Sequence, residues 1–209
     1  WLEPPQTFTE EDTVAAVAGM RSRCCDVVVV LGGDGTNRAA ARGWPDLVVV
    51  PLSTGTNNAF PMAVEATIAG AAAGHVASGA VLVDEVAHPT TVVRVRPEGI
   101  DEPDDLALVD AVAVDDPYLG SFELFDPATV RTAVLSRADP ALVGFAGVGG
   151  LVSPVGADED EGLLLRFGRP SDCDRVVRGP IAPGCYAEFG LIEQRRLALD
   201  EEVHVDGPL

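Results

Sequence analysis

Lysine is absent from this 209-residue chain: all 14 basic residues are arginine, set against 33 aspartates and glutamates, for a net charge of −19. Such acidity excludes non-specific nucleic-acid binding, which needs a basic footprint on the phosphate backbone. It equally excludes docking on anionic lipid through a polybasic patch. No apolar run approaches the ~20 residues of a membrane helix, and no charged-then-apolar leader opens the chain. A carboxylate-rich surface without lysine is what a high-salt cytoplasm favours, because screening shortens self-repulsion. A cytoplasmic, salt-adapted protein is therefore expected.

Metal-ligand patterns are missing too. Cys24, Cys25, Cys173 and Cys185 show no CxxC or Cys/His spacing. The adjacent pair Cys24-Cys25 precedes an apolar run and reads as two small core residues. His75, His88 and His204 are scattered, so neither a protein-held metal nor a catalytic histidine is expected.

What the chain does contain is concentrated in two places. Residues 27–31 are an unbroken, mostly β-branched run, which predicts a strand buried on both faces. Gly32, Gly33 and Gly35 follow at once, and then Ala-rich helical sequence. A strand that turns through glycine into a helix ends with free backbone N–H groups and a positive dipole end, suited to a phosphate. Residues 47–52 predict a second buried strand, running into Ser53-Thr54-Gly55-Thr56-Asn57-Asn58. Two such loops at the carboxyl ends of neighbouring parallel strands make the crevice where open α/β sheets place ligands.

The spacing excludes the commonest glycine motifs. Gly33-Asp34-Gly35-Thr36-Asn37-Arg38 lacks the third glycine of GxGxxG, and GxxxxGK[ST] cannot be written without lysine. An acid lies between the glycines. Asp34 beside bound phosphates would repel them unless a metal intervenes or it takes a proton from an attacking hydroxyl. The alternative is that Asp34 only shapes an Asp-Gly turn or caps the next helix.

Elsewhere the pattern is coarser. Thr9-Glu10-Glu11-Asp12 opens a helix with acids in its first turn and Val14, Val17 and Met20 on one face. An Ala- and Gly-rich helix follows Pro61. Residues 97–105, acid-rich and containing Pro103, read as an exposed loop. Strand-like segments then dominate at 106–114, 142–145, 163–167, 186–192 and 197–205, interrupted by one helix near 127–137. The four acids at 158–161 read as a solvated loop. The expected fold is α/β: a parallel-sheet nucleotide-binding domain over 1–88 and a β-rich domain over 89–209.

Together the GGDGT and GTxN loops resemble the superfamily of NAD kinases, diacylglycerol and sphingosine kinases, and phosphofructokinases. Glu10-Glu11-Asp12-Thr13, Gly32 to Arg38 and Ser53 to Pro61 resemble more closely an NAD-kinase-like branch that includes the acetoin-catabolism protein X group. Ala107-Leu108-Val109-Asp110, Gly120-Ser121 and Gly149-Gly150-Leu151 are similar to it as well. The resemblance implies that Asp34 deprotonates or orients an acceptor hydroxyl. Gly32, Gly33, Gly35 and Thr36 would cradle phosphates, with Asn37 and Arg38 beside them. Ser53, Thr54, Gly55, Thr56, Asn57 and Asn58 would line the same crevice.

Departures accompany the likeness. NAD kinases carry an Asn-Glu pair where this chain has Val109-Asp110, so only the acid, Asp110, is kept as a dinucleotide contact. Their threonine-rich loop is reduced to Ser153-Pro154-Val155-Gly156. These differences leave a kinase expected and NAD in question as its acceptor. The branch also places a strand and a glycine loop upstream, so a truncated N-terminal sheet is expected for a chain opening on Trp1.

The activity implied is ATP-dependent phosphoryl transfer to a hydroxyl, with Mg²⁺ arriving on ATP and Arg38 offsetting charge on the phosphoryl group. Arg42 reads as part of a solvated helix face. A lipid kinase and a nucleotide sensor without catalysis are the alternatives. The partners expected are a nucleotide and a small-molecule substrate, within a homo-oligomer.

Overall fold

The computed structural model describes residues 6–99, 101, 104–116 and 126–206. The chain divides into two compact units, Trp1–Pro89 and Thr90–Leu209. The first is α/β around a parallel pair of strands, and the second is β-rich. Gly120 and Ser121 lie outside the described residues, as does Pro103.

In the first unit, α1 (Glu10–Ser22) starts where the sequence places it. Thr9 caps it by accepting the Glu11 N–H, and three acids sit in the first turn, where the helix dipole favours them. Asp12 also accepts the backbone N–H groups of Gln6, Thr7 and Phe8. The Gln6 amide foremost, aided by those of Thr7 and Phe8, holds its carboxyl below the ordinary aspartate range. Val17 is buried with Val28, Val30 and Ala40, and Met20 packs against them.

Strand β1 (Val28–Gly32) pairs in parallel with β2 (Val49–Ser53). Neither is buried on both faces. Val28 and Val30 point into the cluster, whereas Val29 and Leu31 are 39% and 65% exposed. In β2 only Leu52 is buried. The β-branched run records strand propensity, but a two-stranded sheet supplies full cover on one side only. Helix α2 (Asp34–Gly43) follows β1, and α3 (Ala66–Ala77) and the short α4 (Val83–Val86) follow β2. Gly43 permits close helix contact, since a Cβ there would stand 2.5 Å from the Val14 carbonyl oxygen.

The cysteine pair is not in the core. Cys24 is exposed, with φ of 56°, in the turn leaving α1, and Cys25 is half-buried. The left-handed turn carries the first thiol outward.

The second unit has a small antiparallel pair, β3 (Val93–Val95) with β4 (Asp105–Ala107), and a five-stranded antiparallel sheet. That sheet contains β5 (Asp110–Val114), β6 (Val130–Leu135), β7 (Glu161–Gly168), β8 (Val176–Ala182) and β9 (Cys185–Ala198) in the order β5-β6-β7-β9-β8. Phe145, Phe167 and Phe189 meet at its centre with ring centroids 5.3–6.3 Å apart. Among the described residues no helix is long and apolar enough to cross a membrane.

Several local expectations are corrected here. Residues 127–137 are not a helix: a single 3-10 turn at Pro127–Thr129, capped by Asp126, leads into β6. The β-branched residues Val130, Thr132 and Val134 suit a strand that finds partners on both sides, β5 and β7. The helix lies later, as α5 (Phe145–Val152), so residues 142–145 are not a strand. Its glycines disfavour helix locally but allow burial: Cβ atoms at Gly147 and Gly150 would stand 2.2 Å from backbone atoms of Leu142 and of Asp139 and Pro140. Residues 106–114 divide into β4 and β5, the unexpected β8 forms an edge, and β9 stops at Ala198 before Asp200 turns with φ of 61°. The acids of 158–161 are exposed as expected, yet Glu159 and Glu161 both bind Arg196.

Candidate functional site

Both glycine-bearing loops leave the same end of the parallel pair, because the register sets Gly32 opposite Ser53. Gly33 is the N-cap of α2 and Asp34 its first residue. The Asp34 carboxylate neither caps its own helix nor closes an Asp-Gly turn. It crosses to the second loop, where Oδ1 accepts the Phe60 N–H at 2.8 Å and Oδ2 the Ala59 N–H at 3.0 Å. The Ala59 N–H also reaches Oδ1 at 3.2 Å.

The glycines serve different ends. A Cβ on Gly32 would stand 2.5 Å from the Thr36 side chain, and one on Gly33 would stand 2.6 Å from Asn58 Oδ1. Gly55 faces Asn58 Nδ2 at 3.0 Å. These three give way to protein atoms. At Gly35 a Cβ would meet nothing within 4 Å. Gly35 lines a shallow, open depression of about 430 Å³ together with Thr9, Glu10, Thr13, Thr36 and Ala39, on the α1 side of α2.

In the second loop Asn58 Nδ2 donates to Ser53 Oγ at 2.9 Å, and Ser53 Oγ donates to the Gly55 carbonyl at 3.2 Å. Thr54, Gly55, Thr56 and Asn57 form an exposed tip. Asn37 is only 3% exposed and donates through Nδ2 to the Gly33 carbonyl, while its buried Oδ1 has no hydrogen-bond partner among the described residues. Arg38 is held by Glu10 at 2.8 Å. Arg42 is ion-paired rather than merely solvated, to Glu10 at 2.7 Å and Glu11 at 3.5 Å.

The structure thus brings residues 32–38 and 53–58 together within the first unit. Asp110 opens β5 in the second, paired with Leu135, and the adjacent Val109 carbonyl accepts Ser136. The Ser153-Pro154-Val155-Gly156 segment is structural at its centre, with Val155 buried and bridged to Ala138. Two contributors escaped sequence reasoning: the amides of Ala59 and Phe60. Backbone donors have no residue-type signature, and only their position just after the loop marks them.

Comparison with known proteins follows the same division. Residues 3–80 match the ATP-NAD kinase N-terminal domain, and residues 91–208 match the acetoin catabolism protein X C-terminal domain. Acetoin catabolism protein X of Cupriavidus necator is 34% identical over 201 residues, covering 94% of this chain. The chain spans about half of that relative, 55% of its length. No solved structure matches. With both halves accounted for, the chain belongs to the acetoin catabolism protein X family, within the NAD-kinase-like branch.

Proposed function

We propose that this chain is the working part of an ATP-dependent small-molecule kinase of the NAD-kinase type. The observation supporting it is the register Gly32↔Ser53, which sets two loops side by side at one end of a parallel pair with Gly35 open to a depression. In this reading, backbone amides at the start of α2 and the exposed tip at 54–57 hold the nucleotide phosphates. The acceptor oxygen attacks the γ-phosphorus, ADP departs, and the hydroxyl proton passes to Asp34. The 2′-hydroxyl of NAD is one acceptor this reading admits.

Among the described residues no three His, Cys, Asp or Glu side chains gather as a metal cage. Asp34 is the single carboxylate in the two loops. Such a sparse donor set fits Mg²⁺, which keeps several waters and binds mainly through phosphates. When bound, it would draw negative charge from the β- and γ-phosphates. Arg38 could assist only by leaving Glu10, to which it is paired.

Calorimetry in molar KCl tests the binding half. Heat with ATP and Mg²⁺ is expected, and silence with ATP, ADP, NAD and NADH alike would sink the reading. Radiolabelled ATP offered with NAD, NADH, sugars, polyols and short-chain diacylglycerol tests the chemistry. Asp34→Asn should lower transfer by roughly two to four orders of magnitude, the usual worth of a general base. Transfer to diacylglycerol alone would mark a lipid kinase instead. The engagement of Asp34 by two amides and of Arg38 by Glu10 favours a second reading, a nucleotide sensor without catalysis. Nucleotide binding without transfer, unaltered by Asp34→Asn, would select it.

A further inference from the structure

We infer that Asp34 is a positioning residue for the second loop: its carboxylate anchors the backbone at Ala59–Phe60 and so fixes where the 54–57 tip is presented. Its effect on phosphates rests on the kinase reading; the anchoring itself does not. A carboxylate offers about four acceptor directions. Oδ1 receives Phe60 and a share of Ala59, and Oδ2 receives Ala59, which leaves a direction on Oδ2 for a substrate hydroxyl. A carboxylate meets the two amides with two acceptor oxygens, whereas an asparagine keeps one acceptor oxygen and would turn its NH2 donor toward the N–H that Oδ2 now accepts.

The root of the loop also packs against the first: Asn58 Oδ1 stands 2.6 Å from where a Gly33 Cβ would lie, and its Nδ2 ties back to Ser53 within the second loop. Residues 53–60 are therefore bonded to the first loop at Ala59–Phe60 on Asp34, with Asn58 close against Gly33 and the exposed tip between Ser53 and Asn58. The residue between the glycines thereby gains a reason independent of proton transfer, since from the first position of α2 its side chain spans to the second loop.

The test uses the nucleotide-free chain. Amide hydrogen exchange at Ala59 and Phe60 should be slow in the wild type and at least about tenfold faster in Asp34→Asn, the scale of a lost charged hydrogen bond. Asp46→Asn, a control in the same unit, should change neither. Equal exchange in wild type and Asp34→Asn would overturn the anchoring. If Asp34→Asn fails to fold, the wild type decides alone: scalar coupling from the Phe60 amide nitrogen to the Asp34 carboxyl carbon supports the bond, and its absence overturns it. For the functional consequence, ATP affinity should fall about tenfold in Asp34→Asn together with the transfer rate. Lost protection with unchanged ATP affinity would overturn the positioning role. A wild type that binds no nucleotide would defeat the kinase reading, while the exchange and coupling results would still stand or fall separately.

Discussion

Leu163, Leu164 and Leu165 in β7 are each no more than 1% exposed, whereas Val29 and Leu31 in β1 leave much of their surface open. Both stretches are continuous apolar runs in the sequence. The difference lies in what surrounds them. Strand β7 sits inside a five-stranded sheet between β6 and β9, while β1 has one strand partner among the described residues, β2. Burial is concentrated in the unit that carries few of the candidate chemical groups, and the paired loops stand on the thinner scaffold.

The comparison breaks most visibly under core truncation. Phe189→Ala removes the ring that meets both Phe145 and Phe167 and should cost about 3–5 kcal/mol in denaturant unfolding followed by circular dichroism. Leu31→Ala should cost under about 0.5 kcal/mol, since its side chain is mostly solvated already. Equal losses would show that burial does not separate the two units energetically.

A finer division runs through the loop glycines. Gly33→Ala drives a methyl group into Asn58 and should lower stability by about 1–3 kcal/mol. Gly35→Ala meets open space within a helix, so its melting temperature should hold or rise slightly. Its nucleotide affinity should nonetheless drop, because the methyl occupies the margin of the depression. Calorimetric titration and thermal melts on both variants check this. The same loss of stability from both would mean that Gly35 is also committed to packing.

Charge sharpens the contrast with the smallest expected effect. The first unit has 10 acids against 4 arginines and the second 23 against 10, giving nets of −6 and −13. Raising KCl from about 0.1 M to several molar should lift the melting temperature by a few degrees as the Debye length collapses. Tyrosine emission, from Tyr118 and Tyr186, should report the larger rise in the second unit, and Trp44 emission, in a Trp1→Phe background, the smaller rise in the first. A flat or falling curve would refute salt adaptation.

The two loops were legible because strand, glycine and helix signals are local and contiguous. The N-terminus of α1 was legible for the same reason, as Thr9 and three acids announce it. The pairing of β6 was not, because Pro127 and Ala128 suggest a helix start while β5 and β7 decide the outcome. Helix α5 was hidden by Gly147, Gly149 and Gly150, whose use is steric fit against residues distant from any helix signal. Asp34 stands out in the sequence as an acid between glycines, yet neither a turn role nor a cap role describes its geometry. Its partners are main-chain amides 25 and 26 residues away.

Arg196 illustrates what lysine's absence means for individual positions. Its guanidinium reaches Glu159 and Glu161 through one terminal nitrogen and the Pro154 carbonyl through the other. An ammonium concentrates its donors on one nitrogen and lacks the planar fork whose two terminal nitrogens serve these partners here. At the mouth of the β7–β9 pairing, the preference for arginine thus has a local, geometric reason beside any that composition supplies.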